Sequence, residues 1–170
     1  MSDLSWITDR LAVGGGLWTA EALGAVRRAG ITHIINTQAE FDDRVLLAGL
    51  GPNLPGADGS GPPEIFWLGT DDDLEPKPPE YFRPGIRFAL QALGRPQSKV
   101  LVHCASGIHR GPMVALAILR VLGYRRHDAV QLLRAGRPQA DLPEVYLDSV
   151  EAFLAEWESP SLGPNSRDRS

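Results

Sequence analysis

The stretch that most constrains this chain runs from Lys99 to Met113, reading Lys-Val-Leu-Val-His-Cys-Ala-Ser-Gly-Ile-His-Arg-Gly-Pro-Met. Val100–Val102 is a short apolar run of the kind buried within a parallel sheet. Beyond Pro112, residues 113–122 are apolar almost all round, which marks a buried helix. Pro112 suits a first helical turn, where the missing N–H is no loss, and Gly123 is a natural stop. Between strand and helix lie the chain's single cysteine, Cys104, then Gly107 and Arg110. A helix N-terminus offers unpaired N–H groups and a positive dipole end, both of which favour an anionic sulfur beside it. Gly107 lets the loop fold back so that successive N–H groups point inward. Arg110 adds a planar fork able to hold two phosphate oxygens.

A lone buried cysteine is most often a small apolar filler. Its place at a strand end, feeding a helix, argues for chemistry instead. Random placement puts Gly three and Arg six residues after a cysteine only about a few times in a thousand at average usage. The implied reaction is phosphoryl transfer to sulfur, with Cys104 attacking phosphorus and the loop amides and Arg110 stabilising the equatorial oxygens. Water then hydrolyses the cysteinyl phosphate. Amides and arginine carry the charge, so neither a metal nor a cofactor is expected. His103, beside the nucleophile, is read as holding the loop through backbone hydrogen bonds. An ester leaving group needs a proton from a carboxylic acid, and the acidic stretch Asp71-Asp72-Asp73 supplies three candidates.

Elsewhere, Trp6–Gly14 reads as a short strand or hairpin closed by a glycine turn, and Thr19 caps a helix that ends at Gly30. Residues 31–36 form a buried strand in which His33 is a packed side chain. Residues 37–44 read as a solvated loop, with Gln38, Asp42 and Arg44 as alternatives lining a site rim. Residues 49–63, crowded with Gly and Pro, read as a long loop. A strand at 65–68, a helix from Glu80, and helices over 128–134 and 144–157 complete the pattern. Alternating strands and helices predict an α/β fold: a central mixed, mostly parallel sheet flanked by helices. A single domain over 1–158 and a disordered tail over 159–170 are expected for 170 residues.

Net charge is −4 and the pI is near 5.5, which gives no general attraction to nucleic acid or anionic membranes. One cysteine rules out an internal disulfide and fits a reducing, cytoplasmic setting. The first residues lack a signal-peptide pattern, and no stretch is apolar enough to span a bilayer. Oligomeric state is not legible.

His103-Cys104, Gly107 and Arg110 match the HCxxGxxR signature of the cysteine-dependent protein tyrosine phosphatases, and size and flanks resemble the dual-specificity branch. Ile7–Gly14 resembles that family's opening strand, Gly30–Asn36 its GITHVLN strand, and Arg137-Pro138 with Val145-Tyr146-Leu147 its closing segment, together covering roughly 5–157. The resemblance implies a site suited to phosphotyrosine and phosphoserine or phosphothreonine in a phosphoprotein or phosphopeptide. It further implies Cys104 as nucleophile, Arg110 as clamp, the amides of Ala105, Ser106, Gly107, Ile108 and His109 as phosphate ligands, and Asp72, nine residues before Tyr81, as general acid. Gly111 departs from the family, where Ser or Thr follows the arginine and steadies the departing thiolate; slow breakdown of the intermediate is expected. A single cysteine also leaves no partner thiol to trap oxidised Cys104. Competing readings are a phosphatase for a non-protein phosphate (phosphoinositide, glucan or RNA 5′ end) and a weakly active phospho-binding module. Rhodanese or arsenate-reductase chemistry lacks the flanking pattern. The loop's lack of lysine counts against inositol polyphosphates, and the acidic charge against RNA.

Overall fold

The computed structural model describes residues 2–56 and 61–159. The tail expected over 159–170 therefore lies, past its first residue, outside the described residues.

The sheet has five strands: β1 (Leu4–Trp6), β2 (Leu11–Gly14), β3 (His33–Gln38), β4 (Glu64–Thr70) and β5 (Val100–His103), in the order β1-β2-β5-β3-β4. β1 and β2 form an antiparallel hairpin, and the remaining pairings are parallel. The mixed, mostly parallel sheet expected from the sequence is the one observed. Among the described residues the helices are α1 (Ala20–Arg28), α2 (Asp43–Leu50), α3 (Pro79–Leu93), α4 (Arg110–Val121), α5 (Arg126–Gly136) and α6 (Glu144–Glu158), with one short 3-10 turn at Gly51–Asn53.

Successive strand residues point to opposite faces, and the chain uses this to build two cores. Val13, Ile35, Val100 and Val102 face a layer made by α3–α6, where Phe82, Ile86, Met113, Leu116, Tyr146 and Phe153 are buried. Ala12, Ile34 and Leu101 face the other way, onto Leu17, Leu23, Val26 and Leu54 beside α1. Every residue of α4 from Arg110 to Leu119 is buried, as its all-round apolar sequence requires. Each fully buried Leu, Ile or Val contributes roughly 1.5–3 kcal/mol, so the helix behind the cysteine loop is pinned by its packing. Helix ends follow local chemistry. Thr19 accepts from the Ala22 N–H at 3.1 Å, and Gly123, at φ +104°, closes α4.

Two expectations are corrected. Residues 37–44 are not a solvated loop: β3 continues through Thr37 and Gln38, both fully buried, and α2 begins at Asp43, also fully buried. The long loop expected over 49–63 likewise opens with the end of α2 and the 3-10 turn. The reason is amphipathic packing: Leu46, Leu47 and Leu50 lie on one side of α2 against the second core, and Asp42 caps the helix from the Arg44 N–H at 3.0 Å. His33 is packed as expected, with Nδ1 at 2.7 Å from the Thr32 hydroxyl and its ring edge-on to Phe88.

Candidate active site

The carboxyl ends of parallel strands are where open α/β sheets gather their ligands. Here β5 is central, flanked by β2 and β3 in register, Val102 opposite both Val13 and Ile35. His103 is the last residue of β5, Cys104–His109 form the loop, and Arg110 opens α4.

The loop owes its shape to groups that pull its carbonyl oxygens outward. The Thr37 hydroxyl donates to the His103 carbonyl at 2.8 Å. The Gly16 N–H donates to Ala105 O at 2.9 Å, and the Asp141 N–H to Ile108 O at 2.8 Å. Arg137, only 1 % exposed, donates Nε to Gly107 O at 2.7 Å and Nη2 to Ser106 O at 3.1 Å, while its guanidinium is held by both carboxylate oxygens of Asp3. In a planar peptide the N–H points opposite to the C=O. Carbonyls fixed outward at 105–108 therefore turn the N–H groups of residues 106–109 inward, as an anion nest. The Gly107 N–H reports that direction by donating to Cys104 Sγ at 3.2 Å. Gly107 sits at φ +68°, and a Cβ there would lie 2.7 Å from the Gly14 carbonyl and collide with the Arg137 guanidinium. Only glycine fits.

His103 is fully buried and its Nε2 pairs with Oδ2 of the equally buried Asp43. Its Nδ1 lies 3.3 Å from the Cys104 carbonyl, and since a carbonyl only accepts, Nδ1 is the donor there. The expected backbone bond is present. Its anchor, Asp43, is a residue the sequence reading placed in a loop. The first-turn acid of an amphipathic helix was the available signal.

Arg110 is paired end-on with Glu40: Nη1 to Oε2 and Nη2 to Oε1, both 2.8 Å. Nη1 also donates to the Thr70 carbonyl at 2.9 Å. Of the five guanidinium N–H groups, Nε–H and the second Nη2–H remain, and these share one edge of the plane. Nε is buried and has no hydrogen-bond partner among the described residues. A buried donor left unpaired costs about 1–3 kcal/mol, which an oxyanion on that edge would recover. Glu40 thus orients the guanidinium without covering the edge a phosphate would use. The Arg110 hydrogen bonds pull the Glu40 carboxyl down to about 2, and Glu40 in turn raises Arg110. Glu40 went unnoticed in the sequence, and no local pattern announces a partner seventy residues away.

The three acids separate clearly. Asp73 is paired with Lys77 Nζ at 2.7 Å, which lowers its carboxyl below the usual range. Asp71 offers its backbone carbonyl to the same ammonium. Asp72 is the one bonded to the cysteine loop: its Oδ2 lies 3.0 Å from His109 Nδ1, and its Oδ1 accepts from the Tyr146 hydroxyl at 3.0 Å. Burial and the neighbouring Asp72 push Tyr146 up to about 12, so it stays a donor.

No protein-family model matches the chain. The mouse (Mus musculus) dual specificity protein phosphatase 13B is 31 % identical over 127 residues, which is 72 % of this chain and 59 % of that protein. The chain thus matches less than two thirds of the length of its curated relatives. Human DUSP28 superposes with a TM-score of 0.71 at 20 % identity, covering 94 % of this chain and all of that one. PTPMT1 in complex with PI(5)P superposes at 0.72 with 17 % identity, covering 93 % and 98 %. In fold and in sequence likeness, the chain is dual-specificity phosphatase-like.

Proposed function

We propose that the chain is a phosphomonoester hydrolase working through a cysteinyl-phosphate intermediate, and that its substrates are phosphoproteins carrying phosphotyrosine, phosphoserine or phosphothreonine. The observation that carries this reading is the empty-handed edge of Arg110, with its buried unpaired Nε, at the foot of an inward-facing amide nest around Cys104. In the first step Cys104 sulfur attacks phosphorus while the P–O bond to the leaving group breaks. The amides and the Arg110 edge hold the equatorial oxygens. Asp72 donates a proton to the departing oxygen. In the second step water attacks phosphorus, Asp72 takes its proton, and the sulfur leaves as thiolate. Charge is handled by the nest and Arg110, so the chemistry requires no metal. A reducing, cytoplasmic setting suits a single free thiol; among the described residues, no helix is long and apolar enough to cross a membrane.

A second reading is a lipid phosphate. It is favoured by the shared fold with PTPMT1, whose structure holds PI(5)P. Ala105, Ser106, Ile108 and His109 give the Cys104 loop no lysine for further phosphates on an inositol ring, which favours the protein reading. The test is hydrolysis of 4-nitrophenyl phosphate, tyrosine- and serine/threonine-phosphorylated peptides and PI(5)P by the wild type and Cys104→Ser. Peptide turnover abolished by Cys104→Ser is the expected result. Turnover of PI(5)P alone moves the substrate class to lipid, and wild-type rates equal to those of Cys104→Ser leave a phospho-binding module.

A further inference from the structure

Two aromatic side chains beside the cradle take no part in the chemistry above. Trp18 is 50 % exposed. It stands just before the Thr19 cap of α1, where an apolar side chain often folds onto the helix's first turn. Its indole turns back over Gly16 instead: a Cβ added to Gly16 would collide with Cε2, Cζ2 and Nε1 of the ring. Gly16 is the residue whose N–H holds the Ala105 carbonyl at 2.9 Å, so a single backbone residue separates the indole from the cysteine loop. The last glycine of the Gly14-Gly15-Gly16 turn thereby has a purpose, since a side chain there would displace the indole.

The ring of Phe41 meets that of Trp18 edge-on, with centroids 5.2 Å apart and planes at 69°. Phe41 is half-buried and follows Glu40, the partner of Arg110; its carbonyl is fixed by Asn36 Nδ2 at 2.7 Å. The pair therefore bridges the segments that follow β2 and β3, the two strands on either side of β5. Those segments lead into α1 and α2, beside the second core. Asp72 reaches the loop from the other side of the sheet, through His109 and through Tyr146 of α6. An ester group leaving the cradle passes between the acid and the aromatic pair.

Charge on the aromatic side is already committed, Glu40 to Arg110 and Asp42 to Arg44. What faces solvent there is a neutral aromatic surface, and an exposed apolar patch at the rim of a site marks a contact surface. Aromatic rings attract a further ring edge-on or offset. A tyrosyl phosphate carries its ring directly on the ester oxygen. A seryl or threonyl phosphate carries one tetrahedral carbon there and then the peptide backbone.

We propose that Trp18 and Phe41 are specificity-determining residues that receive the phenyl ring of phosphotyrosine and favour it over phosphoserine and phosphothreonine. This rests on the phosphomonoester hydrolase reading.

The test compares kcat/KM on two peptides of one sequence, phosphorylated on tyrosine or on serine, and on PI(5)P. Trp18→Ala is expected to lose about 10-fold and Phe41→Ala about 3-fold on the tyrosine peptide, the range that an aromatic contact contributes, with less than about two-fold change on the serine peptide. Trp18→Leu keeps an apolar side chain without the ring and should lose nearly as much as Trp18→Ala, whereas Trp18→Phe should retain most of the wild-type rate. If Trp18→Ala does not fold, these two variants decide. Equal losses on both peptides, or an unchanged rate on the tyrosine peptide, overturn the proposal while the hydrolase reading stands. A loss confined to PI(5)P also overturns it and gives the pair to a lipid. If wild type and Cys104→Ser are equally inactive, the hydrolase reading falls and binding decides: the wild type should hold benzylphosphonate about 10-fold more tightly than ethylphosphonate, a margin that Trp18→Ala removes, and equal affinities overturn the proposal.

Discussion

The two walls of the site are built by different means. The cysteine loop is held by its backbone: carbonyls of residues 103, 105, 106, 107 and 108 are each bonded from outside by Thr37, Gly16, Arg137 or Asp141. The acid loop between β4 and α3 is held by side chains, through Tyr146, His109 and Lys77, and its tip residue Leu74 is exposed with φ +58°. Bonds from the buried Thr37 and Arg137 hold the nest in the fixed geometry that electrostatic stabilisation of a phosphoryl group requires. A few half-exposed side-chain bonds hold a loop less firmly. The first wall is prebuilt, and the second is docked.

The largest expected effect is on the cradle. Arg137→Ala removes the buried cation that binds the Ser106 and Gly107 carbonyls, and each buried carbonyl left unpaired costs about 1–3 kcal/mol, while the half-exposed Asp3 adds little. Urea unfolding should show a loss of that size together with loss of phosphate ester turnover. A loss under about 1 kcal/mol would mean that the loop keeps its shape without Arg137 and would collapse the contrast between the walls.

Glu40→Gln comes next. It keeps the size of the side chain but removes the charge from the two 2.8 Å bonds to Arg110. Bonds to charged groups are worth about 1.5–3 kcal/mol, so kcat/KM should fall by about 10- to 100-fold, with little change in folding stability because Glu40 is half exposed. The pH dependence has a definite sign. The Glu40 carboxyl is depressed from 4.5 to about 2 in the folded protein, so its contribution is complete above the unfolded value and is lost as pH falls through about 2. The wild type should therefore hold Arg110 in place across the whole range from mild acid to neutrality, and Glu40→Gln should show no acid-dependent release.

What the sequence disclosed and what it hid follow the same division. Cys104, Gly107 and Arg110 lie within seven residues, so strand, turn and helix signals coincide there, whereas only the family resemblance singled out Asp72 from its two acidic neighbours. The strand–helix alternation was legible because each element carries its own periodicity. Asp43, Glu40 and Arg137 were not, because their partners lie 60, 70 and 134 residues away. Those pairs exist only because the order β1-β2-β5-β3-β4 brings the ends of β3 and the hairpin beside β5. The helix α2 was obscured by Gly49, Gly51 and Pro52 at its end, though Asp42 and the leucines at 46, 47 and 50 carried the cap and stripe that mark it.

On the docked wall, Tyr146→Phe removes one hydroxyl that accepts from Leu74 and donates to Asp72. A neutral hydrogen bond contributes about 0.5–1.5 kcal/mol net, so turnover of phenyl phosphate should fall by no more than about 10-fold, while the ring's packing keeps the fold intact. A drop in stability as large as that of Arg137→Ala would show the acid loop to be as structural as the cradle.

The smallest effect is expected inside the cradle, at Gly111. A Cβ added there would meet Cys104 N and His103 Cα and C at 3.5 Å, ordinary contact distances. Gly111→Ser should therefore fold without strain, unlike any side chain at Gly107, and would bring a hydroxyl to the backbone next to the leaving sulfur. Stabilising that thiolate by a hydrogen bond of about 1 kcal/mol corresponds to roughly five-fold faster breakdown of the cysteinyl phosphate. Rapid-quench experiments with a labelled aryl phosphate should show a wild-type burst of phosphoenzyme that shrinks in Gly111→Ser. Without a wild-type burst and with turnover unchanged in the variant, the glycine does not limit the second step, and the cradle is complete as it stands.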